Sequence, residues 1–188
     1  MITVVQPVFI DASQVTDGAL APNAVLGSVS RETSRGDPML VTRQAEMGDL
    51  QELLSLYRHL TPDMPELSDD LAGCRWREIL SVKHVAVFVI EEKSVQVASC
   101  SLITAPNLMR GATPHGFLEN VVTHAGHRRQ GYGREVVVAG LAEAWARGCQ
   151  RVMLVTGRMH RNPGVTDFYE SCGFMSGRAG LMAQRPSS

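Results

Sequence analysis

The chain has 188 residues, 44% of them apolar, enough to bury one full core and too few for two domains of ordinary size. Its 18 basic and 19 acidic side chains leave no global field, which argues against a nucleic-acid or anionic-membrane binder. There is no apolar run of the roughly 18 residues a membrane span requires, and the N-terminus lacks the basic stretch and apolar core of a signal peptide, so a cytoplasmic protein is expected.

Residues 1–38 form an accessory arm rather than part of the core, because 11–38 is rich in Ser, Gly, Ala, Pro and Asp without a sustained period. Val4, Val5, Val8 and Ile10 are β-prone and could still supply an edge strand. From Met39 the elements alternate. A strand Met39 to Arg43 precedes a helix Glu46 to His59, with Leu50, Leu53, Leu54 and Tyr57 at helical spacing. The loop "TPDMPELSDD" ends in Ser68, a cap for a helix Asp70 to Leu80. His84 to Ile90 and Val95 to Thr104 make a hairpin around a turn at Glu91 to Ser94. Gly116 to His124 is the next strand, and Arg134 to Arg147 a helix stopped by Gly148. Then come a strand Arg151 to Thr156, a short helix Val165 to Ser171 and a last strand Gly177 to Gln184. The order predicts an α+β domain over 39–188, with a mixed sheet flanked by helices. Cys74, Cys100, Cys149 and Cys172 form no C-x-x-C pair and read as buried reduced thiols.

The stretch His127 to Arg134 lies between a strand and a helix. Gly131 and Gly133 let the backbone approach a ligand there, the first helical amides lack intrahelical partners, and the dipole favours negative charge. A phosphate group fits such a cradle. A Walker loop is excluded because no Lys-Ser or Lys-Thr closes the segment, and a dinucleotide fingerprint because its third small position is Val136.

What remains is the pattern [QR]-x-x-G-x-[GA], filled by Arg128, Gly131 and Gly133. Around it stand "LENVVTH", a helix, "RVMLVTG" and "NPGVTDFYESCGF", in that order. With Asn162, Tyr169, Gly173 and Phe174 matching a second element, the chain resembles the GNAT superfamily of N-acetyltransferases from about Met39 to Gln184. The resemblance implies a GNAT fold, a mixed six- to seven-stranded sheet with about four helices, and acetyl-CoA as cosubstrate with no metal. It places the pyrophosphate on Arg128, Arg129, Gln130, Gly131, Tyr132, Gly133 and Arg134, and the pantetheine arm along Val121, Val122 and Thr123. Asn162 would touch CoA, although Pro163-Gly164 beside it is a turn signal that could alone account for an Asn.

Two residues could carry chemistry. The resemblance puts the Tyr169 phenol near the CoA sulfur, where it would protonate the leaving thiolate; the other reading is an aromatic that packs the helix on the sheet. Related enzymes place a Glu where Glu119 stands, a candidate general base; the other reading is a structural carboxylate tied to an Arg. Alternation puts Glu119 on one face with Val121 and Thr123, and Asn120 opposite with Leu118 and Val122. His124 and His127 lack a metal-ligand spacing and read as loop residues.

The expected function is acetyl transfer from acetyl-CoA to a primary amine of a small molecule or peptide, by direct attack in a ternary complex. A non-catalytic acyl-CoA-binding module on the same fold is the alternative. The acceptor pocket is expected from the first two helices, the loop around Pro62 and the loop "NLMRGATPHG". Asp63, Glu66, Asp69 and Asp70 suggest a cationic amine rather than a sugar phosphate. Nucleic acid and membrane are not expected partners, and dimerisation is left open.

Overall fold

The computed structural model describes residues 8–9, 29–31, 40–156 and 163–175. Its elements are β1 (Val8–Phe9), β2 (Val29–Arg31), β3 (Leu40–Gln44), α1 (Leu50–Tyr57), α2 (Asp69–Ser81), β4 (Val85–Glu92), β5 (Val95–Ala105), α3 (Met109–Ala112), β6 (His115–Thr123), α4 (Tyr132–Ala146), β7 (Val152–Leu154) and α5 (Pro163–Ser171). The predicted last strand Gly177 to Gln184 and Asn162 lie outside the described residues. α3 is a single turn whose Arg110 and Gly111 are left-handed, with φ of 55° and 75°, so four helices of normal geometry remain among the described residues.

The strands form one sheet in the order β1-β7-β6-β5-β4-β3-β2. Among the described residues the strand pairings are antiparallel except that of β6 with β7, and a parallel step needs a crossover. α4 supplies it. The arm contributes at both edges: Val8 pairs with Leu154 on β7, and Val29 pairs with Thr42 on β3. The edge strand considered for the arm is present as β1, whereas β2, only three residues long, carries too short a pattern to read. Between β4 and β5 the turn is just Lys93-Ser94, both left-handed at φ 52° and 63°, a combination that matches the twist of a hairpin.

The core divides into two layers, one on each face. Phe88, Ile90, Cys100, Leu102 and Leu118 pack under α4 and α5, while Leu53 and Trp76 from α1 and α2 cover Val87 and Val89. α4 lies very close to the sheet: a methyl group on Gly140 would sit 2.7 Å from Leu118 Cδ1 and 3.1 Å from Cys100 Sγ. Burial pushes the Cys100 thiol up to about 12, and Cys149 and Cys172 are buried too. Cys74 departs from expectation, being exposed on the outer side of α2.

The helix predicted from Glu46 begins as a 3-10 turn, Met47–Asp49, and becomes α-helical at Leu50. Asp49 is the reason. Its buried carboxylate accepts from the Glu46 amide at 2.5 Å, from Arg43 Nη1 and Nη2 at 2.7 and 2.8 Å, and from Gln96 Nε2 at 2.7 Å. The Arg43 guanidinium holds this carboxyl below its usual range. A side chain so committed fixes where α1 leaves β3.

Candidate active site

β6 and β7 pair only at Gly116 with Val152 and at Phe117 with Met153, yet β6 continues to Thr123. Among the described residues, the β7-facing edge of Leu118 to Thr123 therefore has no strand partner. Val121, Val122 and Thr123, the residues expected along a pantetheine arm, lie on this edge, and an unpaired strand edge can take an extended ligand by backbone hydrogen bonds as it would an added strand.

A bulge shapes the same segment. Ser101 pairs with Glu119 and Ser99 with Val122, so two steps on β5 correspond to three on β6, and Asn120 takes up the extra residue at φ 52°. The extra residue reverses the alternation. Leu118 pairs with Leu102 and Val122 with Ser99; those two β5 residues are three apart and face opposite ways, so Leu118 and Val122 do too. Glu119 thus shares the α1 face with Val122, while Val121 packs into the α4 layer, which corrects the grouping expected from simple alternation. Glu119 is exposed rather than enclosed.

Beyond β6 the backbone makes the predicted cradle. His124 caps a 3-10 turn, Ala125–His127; Arg129 and Gly131 are left-handed at φ 65° and 94°; and Gly131 is the N-cap of α4. The helix starts at Tyr132, two positions before the expected Arg134, because the left-handed glycine turns the chain directly into it. The Glu135 amide bonds to the Gly131 carbonyl at 3.0 Å, which makes Tyr132, Gly133 and Arg134 the first turn of the helix, whose positive dipole end faces the loop. Arg128, Arg129, Gln130 and Arg134 are exposed around them.

The two glycines differ in role. Gly131 has no atom near the place a Cβ would occupy, so its side is open to a ligand. Gly133 is needed for packing: a Cβ there would lie 2.9 Å from Thr123 Oγ1 and 3.4 Å from the Phe168 ring. α5 thereby docks against the start of α4. Tyr169, next along α5, is buried with ring centroids 4.9 Å from Phe168 and 5.7 Å from Phe174, so its ring belongs to the core layer.

Sequence reasoning missed the histidines. His59, just beyond α1, meets His124 edge-on at 4.2 Å, and His124 meets His127 at 5.0 Å. Arg128 reaches the carbonyls of Thr123 and His59, each at 3.5 Å, tying α1 to the cradle. The available signal was His124 two residues before Gly126, the spacing of a side chain that caps a turn. Tyr57 was counted only as a helix core residue, but its phenol lies against the hydroxyls of Ser101 and Ser99, on Glu119's face. Burial raises its pKa.

An opened parallel pair ending in an amide cradle suits an acyl-CoA. The model of the Acetyltransferase (GNAT) family matches residues 51–174. The chain belongs to the GNAT acetyltransferase family. A glucosamine 6-phosphate N-acetyltransferase from Trypanosoma brucei brucei is 30% identical over 139 residues, 72% of this chain and 88% of that one. Another, glucosamine 6-phosphate N-acetyltransferase 1 from Oryza sativa subsp. japonica, is 27% identical over 137 residues, 71% of this chain and 79% of its own length. A solved structure from Agrobacterium tumefaciens str. C58, provisionally named an acetyltransferase, superposes with a TM-score of 0.73 at 42% identity, covering 77% of this chain and 99% of that one. This GNAT protein is accordingly an acyltransferase of the N-acetyltransferase kind with the predicted α+β fold. No helix among its described residues is long and apolar enough to cross a membrane.

Proposed function

We propose that this GNAT enzyme transfers the acetyl group of acetyl-CoA to the primary amine of a small molecule, by direct attack while both substrates are bound. The observation that carries the reading is the coincidence on β6 of a strand edge left open from Leu118 and a helix-start cradle immediately beyond Thr123. A pantetheine arm is extended and offers two amides, and a pyrophosphate is anionic; the two features follow one another along the chain in the order in which acyl-CoA presents them.

In the proposed reaction the amine nitrogen attacks the thioester carbonyl carbon, the C–S bond breaks as the tetrahedral adduct collapses, and the electron pair leaves on sulfur. Tyr169 donates a proton to that thiolate. Glu119 takes the proton lost by the amine, directly or through water, and its exposed place on the α1 face puts it on the side from which an acceptor can arrive. No covalent acyl-enzyme is needed, and Cys172, buried with its thiol pKa raised by burial, is poorly suited to form one.

The acidic residues around the first loop do not argue for a cationic acceptor. Asp69 and Asp70 form the first turn of α2 behind the Ser68 cap, where carboxylates serve the helix dipole, and Glu66 lies 3.9 Å from Arg58. An amino sugar, phosphorylated or not, fits the names of the similar proteins. The loop from Pro106 to Pro114 enters β6 at His115, the strand end opposite Thr123, so the acceptor side is built by α1, the loop after it and His59. Thiol release from acetyl-CoA, measured with glucosamine 6-phosphate, glucosamine, an aminoglycoside and a polyamine, tests the reading. Intersecting initial-velocity lines with one sugar amine support it, and parallel lines, the mark of a covalent intermediate, oppose it.

A further inference from the structure

The cradle is held in place by an imidazole that must be unprotonated. His124 Nδ1 lies 3.1 Å from the Gly126 amide nitrogen and 3.0 Å from His127 Nδ1. An amide N–H can only donate, so His124 Nδ1 accepts, and His127 then donates to the same lone pair. That single atom therefore gathers the turn Ala125–His127, from which the left-handed residues and the start of α4 follow. We propose that His124 is the positioning residue of the cofactor loop: its neutral Nδ1 holds the turn that aims the loop amides at the acyl-CoA pyrophosphate, and acid releases it. The inference rests on the reading of this loop as the pyrophosphate site.

Among the described residues, every charged or titratable neighbour acts in the same direction or stays at a distance. His59 approaches from the end of α1, with ring centroids 4.2 Å apart, and Arg128 bridges from the loop to the His59 carbonyl. His127 is the hydrogen-bond partner; its Nε2 faces Glu92 at the end of β4, 3.4 Å away, and Tyr132 of α4 stands 6.3 Å from its ring. Glu92 contacts His127 rather than His124, so it does not offset a charge on the capping ring. A proton on His124 Nδ1 would turn both N–H groups against it and set a cation beside His59, His127 and Arg128.

Burial first, then those neighbours, lower the His124 pKa from the ordinary value of 6.5. A depressed folded-state value means that the ordered loop is favoured above the ordinary imidazole range and loses that advantage as pH falls below it. A phosphate bound nearby exerts the opposite pull, since it favours any protonated histidine. The two effects differ in sign, so the pH dependence of binding separates them.

Calorimetric CoA titrations between about pH 5.5 and pH 8, bracketing the imidazole range, provide the test, with wild type, His124→Ala, His124→Asn and Gly131→Asp, each checked for an intact melting transition. Asn accepts the same turn N–H through its side-chain oxygen but does not titrate. The expected results are wild-type affinity that weakens in acid, roughly fivefold weaker binding by His124→Ala at pH 8, and His124→Asn that regains most of that loss with a flatter acid profile. The titration of CoA's own phosphate is common to all variants and cancels between them. Wild-type binding that tightens in acid, or an Asn variant with the wild-type slope, would overturn the role of His124. Gly131→Asp with wild-type affinity would instead remove the pyrophosphate reading beneath it, whereas loss of binding in Gly131→Asp beside unaltered His124 variants would sink the positioning role alone.

Discussion

Gly133 and Thr123 are held so close that a methyl group on the glycine would stand 2.9 Å from the threonine Oγ1. The contact fastens the start of α4 to the end of β6, the two pieces of backbone on which the proposed cofactor site depends. Gly133 thus faces the strand and Phe168 rather than an anion. Gly133→Ala should act as a wedge that costs about 1–3 kcal/mol of stability and weakens acetyl-CoA binding through displaced amides. Thr123→Ala should recover part of the stability loss in the double variant, measured by urea unfolding; strictly additive losses would mean that the two residues do not press on one another.

Tyr169→Phe should lower kcat by about 10²–10⁴-fold while the acetyl-CoA Kd changes little, because the phenol is asked to act on the departing thiolate. The ring's contacts with Phe168 and Phe174 survive the change, so the packing of α5 is kept, and an intact melting transition checks this. Wild-type kcat would leave this tyrosine with its core role only.

Glu119→Gln should also lower kcat, with partial recovery as pH rises and the amine arrives already deprotonated. Steady-state rates across the alkaline range measure this. A variant as active as wild type at every pH would assign proton removal to water or to another group on the α1 face, where Tyr57 meets Ser101.

The division between what the chain announces and what it conceals follows from range. Helical spacing identified α4, which is long and has one buried face, the Ser68 cap announced α2, and β-branched and aromatic runs on either side of a turn announced the β4–β5 hairpin, whose strands are buried on both faces; the flanked glycine pattern pointed to the turn before α4 because left-handed Gly131 is a local demand. The bulge at Asn120 was hidden: one extra residue leaves no mark in composition, yet it moves Glu119 and Val122 onto one face. Hidden too were His59 and His124, 65 positions apart, and Tyr57 with Ser101, since their meeting depends on how α1 crosses the sheet. The short β2 had no pattern to offer, and its place is set by pairing with β3.

Removing residues 1–38 takes away both β1 and β2 and bares the backbone of β7 and β3. The shortened protein should keep its fold, melt several degrees lower, and self-associate more readily through its exposed edges. Scanning calorimetry with light scattering checks this. An unchanged melting temperature and a monodisperse sample would show that the arm's pairings contribute nothing.

In the proposed function the backbone from Arg128 to Arg134 holds the pyrophosphate of acetyl-CoA, and Gly131 is the position at which this is tested most directly. Gly131 is left-handed with open space beside it, so Asp and Asn, the side chains that tolerate this backbone best, meet no atom there and carry the same backbone strain. Gly131→Asp adds a negative charge where an anion should sit, and Gly131→Asn makes the same shape without it. Titration of acetyl-CoA into both folded variants should show binding reduced at least about tenfold, or 1.4 kcal/mol, in Asp relative to Asn. Equal affinities for Asp, Asn and wild type would contradict the account.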